Sequence, residues 1–168
     1  MDSAGWKSAK PRKKTQAEKR SEQRMKNSYF TQQYDAYGEN FTNFKDAQII
    51  KKESFRIFKS LADAAVDLNK HGKCFTDPIF IGTLRDVAYE KATYHYFTQL
   101  GLEQIINNGI RTNQLVDGII YENYGKHQRS AEAYTLLYNA FANIQLTGDY
   151  VTVLSMLMPT LNKYKYSL

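Results

Sequence analysis

The sequence predicts an all-α protein, a four- to five-helix bundle with an extended basic N-terminal helical arm. Three observations lead there. Apolar residues recur at three- and four-residue spacing between recognisable helix starts and stops, the pattern of one buried helical face. No stretch alternates apolar and polar residues without a helical reading fitting it as well, so strands are not expected. The excess charge of the 168-residue chain, +6, sits entirely at one end. Residues 1–26 hold nine basic and three acidic side chains, leaving fourteen of each over residues 27–168. The chain therefore divides into a basic arm and helix over 1–37 and a nearly neutral helical body over 38–168.

The elements follow in order. Thr15 with Glu18 is a capping-box pattern, and Met25, Tyr29, Phe30, Tyr34 and Tyr37 then recur at near-helical spacing until Gly38. One helix over 15–37 is expected, basic and exposed early, aromatic and packed late. A second helix is expected from about Asn43 to Asn69, stopped at His71-Gly72. Ile50, Ile57, Phe58, Leu61, Ala65 and Leu68 would form its buried face. Asp77-Pro78 is a strong helix start, an N-cap followed by proline at the first helical position. Ile81, Leu84, Val87, Ala88 and Ala92 continue that helix to Leu100-Gly101, and a short segment over Leu102–Asn108 ends at Gly109. Thr112 is expected to cap a further helix carrying Leu115, Ile119 and Ile120 and stopping at Gly125. The next, from about Gln128 to Gln145, buries Tyr134, Leu137, Tyr138, Phe141 and Ile144. Gly148 breaks it and Asp149 caps a last helix carrying Val153, Leu154, Leu157 and Met158, which Pro159 should kink or end.

Several function classes are excluded or disfavoured. A single cysteine, Cys74, rules out an internal disulfide framework and any multi-thiolate metal site. The longest largely apolar stretch, Tyr150 to Leu161, is well short of the ~20 residues that cross a bilayer, and no secretory signal follows the basic N-terminus. His71, His95 and His127 are far apart in the chain, and none forms the i, i+4 pair of a helix-borne zinc site. His95, among Tyr94, Tyr96 and Phe97, reads as a packed aromatic neighbour. Gly118 through Gly125-Lys126 fails as a phosphate loop, because six residues separate the glycines and His127 follows the lysine. Asp86 and Glu90 share a helix face but have Arg85 and Lys91 at hand to pair with. No enzyme, metal or cofactor is expected.

A localised cationic arm seeks a polyanion. Between Lys7 and Arg24 the only apolar residues are Ala9, Pro11 and Ala17, too few to bury in lipid, so nucleic acid is favoured over a membrane surface. The candidate contacts are Lys7, Lys10, Arg12, Lys13, Lys14, Lys19, Arg20, Arg24 and Lys26. On the second helix Lys45, Lys52, Arg56 and Lys59 fall in a stripe about 60° wide and join them, the competing explanation being an ordinary solvated face. The chain has thirteen tyrosines. The densest cationic run contains no aromatic residue, which separates phosphate neutralisation by the arm from tyrosine-rich subunit packing by the body.

Ile120-Tyr121-Glu122-Asn123-Tyr124-Gly125 followed by Ala131, the Tyr134…Tyr138 helix and the segment Asp149–Leu161 carry a further signal. With the basic arm, long helix and helical body before them, they resemble the major coat proteins of filamentous and rod-shaped archaeal viruses, over residues 20–162 in architecture and through one short motif in actual residues. In that family coat subunits pair and stack helically, and their N-terminal helices wrap double-stranded DNA held in the A form. The resemblance implies a structural virion protein, present in the host cytoplasm during assembly, whose partners are duplex DNA and itself or a paralogous coat protein, as a dimer and a helical filament. It places the arm and the Lys45–Lys59 stripe against phosphate and the tyrosine-rich C-terminal helices in the subunit contacts. The alternative is a DNA-binding regulator or a packaging accessory protein of the terminase small-subunit kind, with a helix-turn-helix around Asn108–Thr112 and Asn113 and Gln114 as base readers. A third is an assembly factor whose arm binds an acidic protein.

Overall fold

The computed structural model describes residues 13–22 and 46–168. The late part of the expected 15–37 helix lies outside the described residues, as do Lys7, Lys10, Arg12, Arg24, Lys26 and Lys45. Every described element is helical: α1 over 16–22 in the arm and, in the body, α2 (Ala47–Ala62), α3 (Leu68–His71), α4 (Pro78–Arg111), α5 (Gly118–Thr147) and α6 (Tyr150–Asn162). Short 3-10 turns occupy Gly72–Thr76 and Lys165–Ser167. The all-α expectation holds.

The helix starts follow side-chain capping. Asp46, Asp67, Asp77, Asp117 and Asp149 each accept a hydrogen bond from a backbone N–H of the first turn they precede, satisfying donors that have no intrahelical partner. Asp77 takes two, from Ile79 and Phe80, with Pro78 next to it as expected. Gly148, at φ 72°, ends α5 in the left-handed conformation that glycine adopts without strain.

Several boundaries are corrected. The second helix runs from Ala47 to Ala62, not Asn43 to Asn69. It stops in a Schellman arrangement: Ala64 takes φ 54°, its N–H bonds to Leu61 O, and Ala65 N–H reaches back to Ser60 O at 2.8 Å. Leu68 remains buried but belongs to the separate turn α3, and Ala65 is only half-buried between the two. Gly101 does not close the next helix; α4 passes through it for 34 residues to Arg111. One interior glycine costs a helix about 1 kcal/mol, less than the packing along α4 supplies. Thr112 is the C-cap of α4, its hydroxyl donating to Asn108 O, while Asp117 starts the next helix. That helix, α5, continues through Gly125 and absorbs the expected 128–145 helix into one of 30 residues. Pro159 lies inside α6 and does not end it.

The core lies where α2, α6 and the first part of α4 meet the last part of α5. Ile50, Ile57, Phe58 and Leu61 of α2 are buried with Phe80, Ile81, Leu84, Val87 and Ala88 of α4. Tyr134, Leu137, Phe141 and Ile144 of α5 and Leu154, Leu157 and Leu161 of α6 complete it. Phe58 stacks on Phe141 with ring centroids 5.8 Å apart, and Phe75 meets Phe80 edge-on at 5.4 Å. Each such side chain contributes roughly 1.5–3 kcal/mol by leaving water. Tyr138 is only partly buried, against Tyr89 at 5.4 Å.

Helices α4 and α5 lie antiparallel. Their cross-contacts fall in α5 as they rise in α4: Arg85 Nη1 donates to Gln145 Oε1 at 2.7 Å, Tyr89 meets Tyr138, His95 meets His127, and Gln99 Nε2 reaches the Tyr124 hydroxyl at 3.5 Å. Beyond Ala88, α4 buries only Ile106 and Gly109, and α5 buries nothing before Ala131. Among the described residues, the outer halves of these helices thus form a two-helix hairpin with little behind it.

Candidate nucleic-acid interface

In the arm the predicted capping box forms. The Glu18 N–H donates to Thr15 Oγ1 at 3.1 Å, and the Thr15 N–H donates to Glu18 Oε1 at 3.3 Å. This satisfies two helix-end donors locally, so a highly charged segment holds a turn that its composition alone would leave marginal. Lys13, Lys14, Lys19 and Arg20 are exposed. Lys14 is ion-paired with Glu22. That contact between exposed groups is weak and yields readily to a phosphate.

The predicted stripe on α2 is only partly realised. Lys52 is exposed. Arg56 is exposed but turns its Nη1 to Glu53 Oε2 at 3.5 Å, one turn back. Lys59 is half-buried, and its Nζ donates to Lys165 O at 3.2 Å, so it holds the C-terminal turn instead of facing solvent. The same C-terminal segment is fastened twice more, by Ser130 Oγ to Ser167 O at 2.7 Å and by the Tyr164 hydroxyl to Glu132 Oε1 at 3.2 Å. The Glu132 bond and charge raise the Tyr164 phenol above its usual range. Lys59 thus holds the C-terminal turn, and among the described stripe residues only Lys52 and Arg56 are exposed.

The turn proposed as a base reader does not have that geometry. Asn113 sits at φ 56° and Gln114 N–H bonds to Gly109 O at 2.8 Å, so both belong to the loop that ends α4. The flanking helices run antiparallel instead of crossing at the steep angle of a helix-turn-helix. Tyr121 and Tyr124-Gly125, read as a helix end, lie within α5.

The fold brings together one pair that sequence reasoning kept apart. His95 and His127 meet Nδ1 to Nδ1 at 2.9 Å, with Tyr134 stacked on His95 at 5.7 Å and 5° and Tyr94 edge-on to both rings. His95 is held below the ordinary imidazole range by burial first, then by the charges of His127 and Lys91. The aromatic setting expected for His95 is thus observed, and a histidine partner is added. The only signal for it is the register of α4 on α5, which the two misread glycines concealed. His95 also lines a cavity of about 300 Å³ with Lys91, Ser54, Ser130 and Tyr134 over Phe55 and Phe58. Tyr134 is buried there and its phenol raised by that burial.

Chemistry is sparse elsewhere. Burial pushes the Cys74 thiol up to about 12, which keeps it protonated and unreactive at neutral pH. Among the described residues no three His, Cys, Asp or Glu side chains gather as metal ligands, and no helix is long and apolar enough to cross a membrane. No protein-family model, curated protein or solved structure significantly matches this chain.

Proposed function

We propose that this chain is a structural nucleocapsid protein that polymerises helically and wraps double-stranded DNA by non-specific phosphate contacts. The observation that carries the proposal is the placement of the whole +6 excess charge in the first 26 residues of an otherwise neutral chain. Four of those cations are exposed around a self-capped helical turn, ready to track a phosphate backbone. Contacts of this kind give affinity without sequence choice. A body without excess charge lets copies crowd along one duplex without repelling each other. The role is that of a major coat protein of a filamentous, archaeal-virus-like virion, with no catalytic step and with itself or a paralogous subunit as the protein partner.

The test replaces Lys10, Arg12, Lys13, Lys14, Lys19 and Arg20 with Gln. The variant should keep its helical content and lose duplex binding, and electron micrographs of wild-type protein with duplex DNA should show regular filaments that the variant does not form. Uniform nuclease protection along any duplex selects the coat, and a footprint at one defined operator selects a regulator. Duplex packaging at wild-type levels in the variant would overturn the proposal.

A further inference from the structure

The outer half of α4 is apolar without being buried. Tyr94, Phe97 and Ile105 are 61%, 63% and 50% exposed on a helix whose inner half buries Phe80, Ile81, Leu84, Val87 and Ala88. Counted at 100° per residue, Glu90, Tyr94, Phe97, Gly101, Ile105 and Asn108 fall within about 80° of one another, with Arg111 at the edge. Among the described residues this is a helix-packing seam with no helix on it. Gly101 is its centre. A Cβ at Gly101 would meet no atom within 4 Å, so nothing inside the described body requires a glycine there, although glycine weakens a helix interior relative to alanine.

We propose that this seam pairs antiparallel with the same seam of a second copy of the chain, about a two-fold axis at Gly101. The argument for a second copy is that the seam complements its own reverse. Across such an axis Phe97 faces Ile105 of the other copy, Tyr94 faces Asn108, and Glu90 lies beside Arg111. Neither Glu90 nor Arg111 has an ion-pair partner among the described residues. Residues 90–130, the hairpin that carries the seam, hold four acidic and four basic side chains, so two copies meet without net repulsion. Glycine on the axis lets the two backbones approach closely, which gives an otherwise unexplained residue a role. An isologous contact of this kind closes on itself as a dimer. A single helix seam of this length falls below the ~1,200 Å² at which stable interfaces begin, so the dimer forms reversibly with concentration. The pairing supplies a subunit contact that the proposed assembly needs, and to that extent rests on that reading.

Sedimentation velocity on the full-length, nuclease-treated chain in about 0.3 M salt, where phosphate contacts are weakened, tests it. The wild type should pass from monomer to dimer with rising concentration. Phe97→Glu, at a largely exposed position, should weaken the dimer at least tenfold with its circular dichroism unchanged. Gly101→Ala should raise the melting temperature of the monomer while weakening the dimer. Gly101→Cys should form an interchain disulfide under mild oxidation, because the two positions meet on the axis. A chain that stays monomeric throughout, or a dimer indifferent to Phe97→Glu and not cross-linked by Gly101→Cys, overturns the pairing. A monomer that still binds duplex with a steep salt dependence overturns the pairing and leaves the DNA-wrapping role standing; a dimer that ignores duplex does the reverse.

Discussion

His95 of α4 and His127 of α5 share a hydrogen bond between their Nδ1 atoms, 2.9 Å apart, at the point where the α4–α5 pair leaves the core. Such a bond needs one nitrogen with a proton and one without. The pair tolerates one added proton, on an outer nitrogen, but two cations would set N–H against N–H.

A pH dependence follows, and its sign is fixed by the direction of the shift. Burial, His127 and Lys91 hold His95 below 6.5 in the folded chain, so the unfolded chain binds more protons between the folded value and 6.5. The contribution is fully present above about 6.5 and is lost as pH falls through the folded value. Thermal unfolding between pH 7.5 and 5 should show the melting temperature falling through this window, with a shallower fall in His95→Gln. An identical slope in both proteins would remove the pair from the explanation.

Ala64 ends α2 at φ 54°, a left-handed conformation in which its Cβ crowds the backbone. That costs roughly 1–2 kcal/mol, against about 0.5–1 kcal/mol for the added freedom of an unfolded glycine. Ala64→Gly should therefore stabilise the chain by about 0.5–1 kcal/mol, read as a higher denaturant midpoint with an unchanged slope. Asn113, at φ 56° in the equivalent place after α4, should gain less from Asn113→Gly, because asparagine tolerates this region.

These two ends show why part of the fold could be read from the sequence and part could not. Side-chain caps are local, so Thr15 with Glu18, Asp77 with Pro78, and Gly148 with Asp149 identified true boundaries. Glycine is only a weak local signal. Gly101 and Gly125 have the sequence context of stops and lie inside long helices, whereas α2 ends at an alanine that carries no stop signal. The candidate site divides along the same line. The lopsided charge is a property of composition and needs no fold. The turn of Lys59 towards Lys165 O depends on where the C-terminal segment packs, and the His95–His127 pair on the α4–α5 register. Neither relation exists until the chain is folded.

The proposed division of labour between arm and body predicts an uneven salt response. If about 6–9 phosphates are neutralised per subunit, the logarithm of the binding constant should fall with that of salt with a slope of roughly −5 to −8. Lys13→Gln with Lys14→Gln should flatten that slope by about 2. Lys59→Gln should leave it unchanged and lower stability instead, because its ammonium holds the Lys165 carbonyl. Titrations at four salt concentrations separate the two effects. A slope that responds to Lys59→Gln as strongly as to the arm pair would place the contact surface on the body.

Gly109 provides the sharpest packing test, because its place near the end of α4 is crowded where that of Gly101 is open. A Cβ there would stand 2.2 Å from Val116 Cγ2 and 3.4 Å from Gln114 O. Gly109 is buried, so the chain following the turn has folded back over the bare Cα. Alanine would raise helix propensity by about 1 kcal/mol but force Val116 and the Asn113–Gln114 turn outward, an overpacking cost of about 1–3 kcal/mol. Gly109→Ala should thus be neutral to destabilising by up to about 2 kcal/mol in chemical denaturation. Adding Val116→Ala removes the obstructing methyl and should recover most of the loss, a coupling that a double-mutant cycle measures directly. If Gly109→Ala stabilises the chain as much as Gly101→Ala does, Val116 does not close the turn over α4, and the register of the hairpin there is wrong.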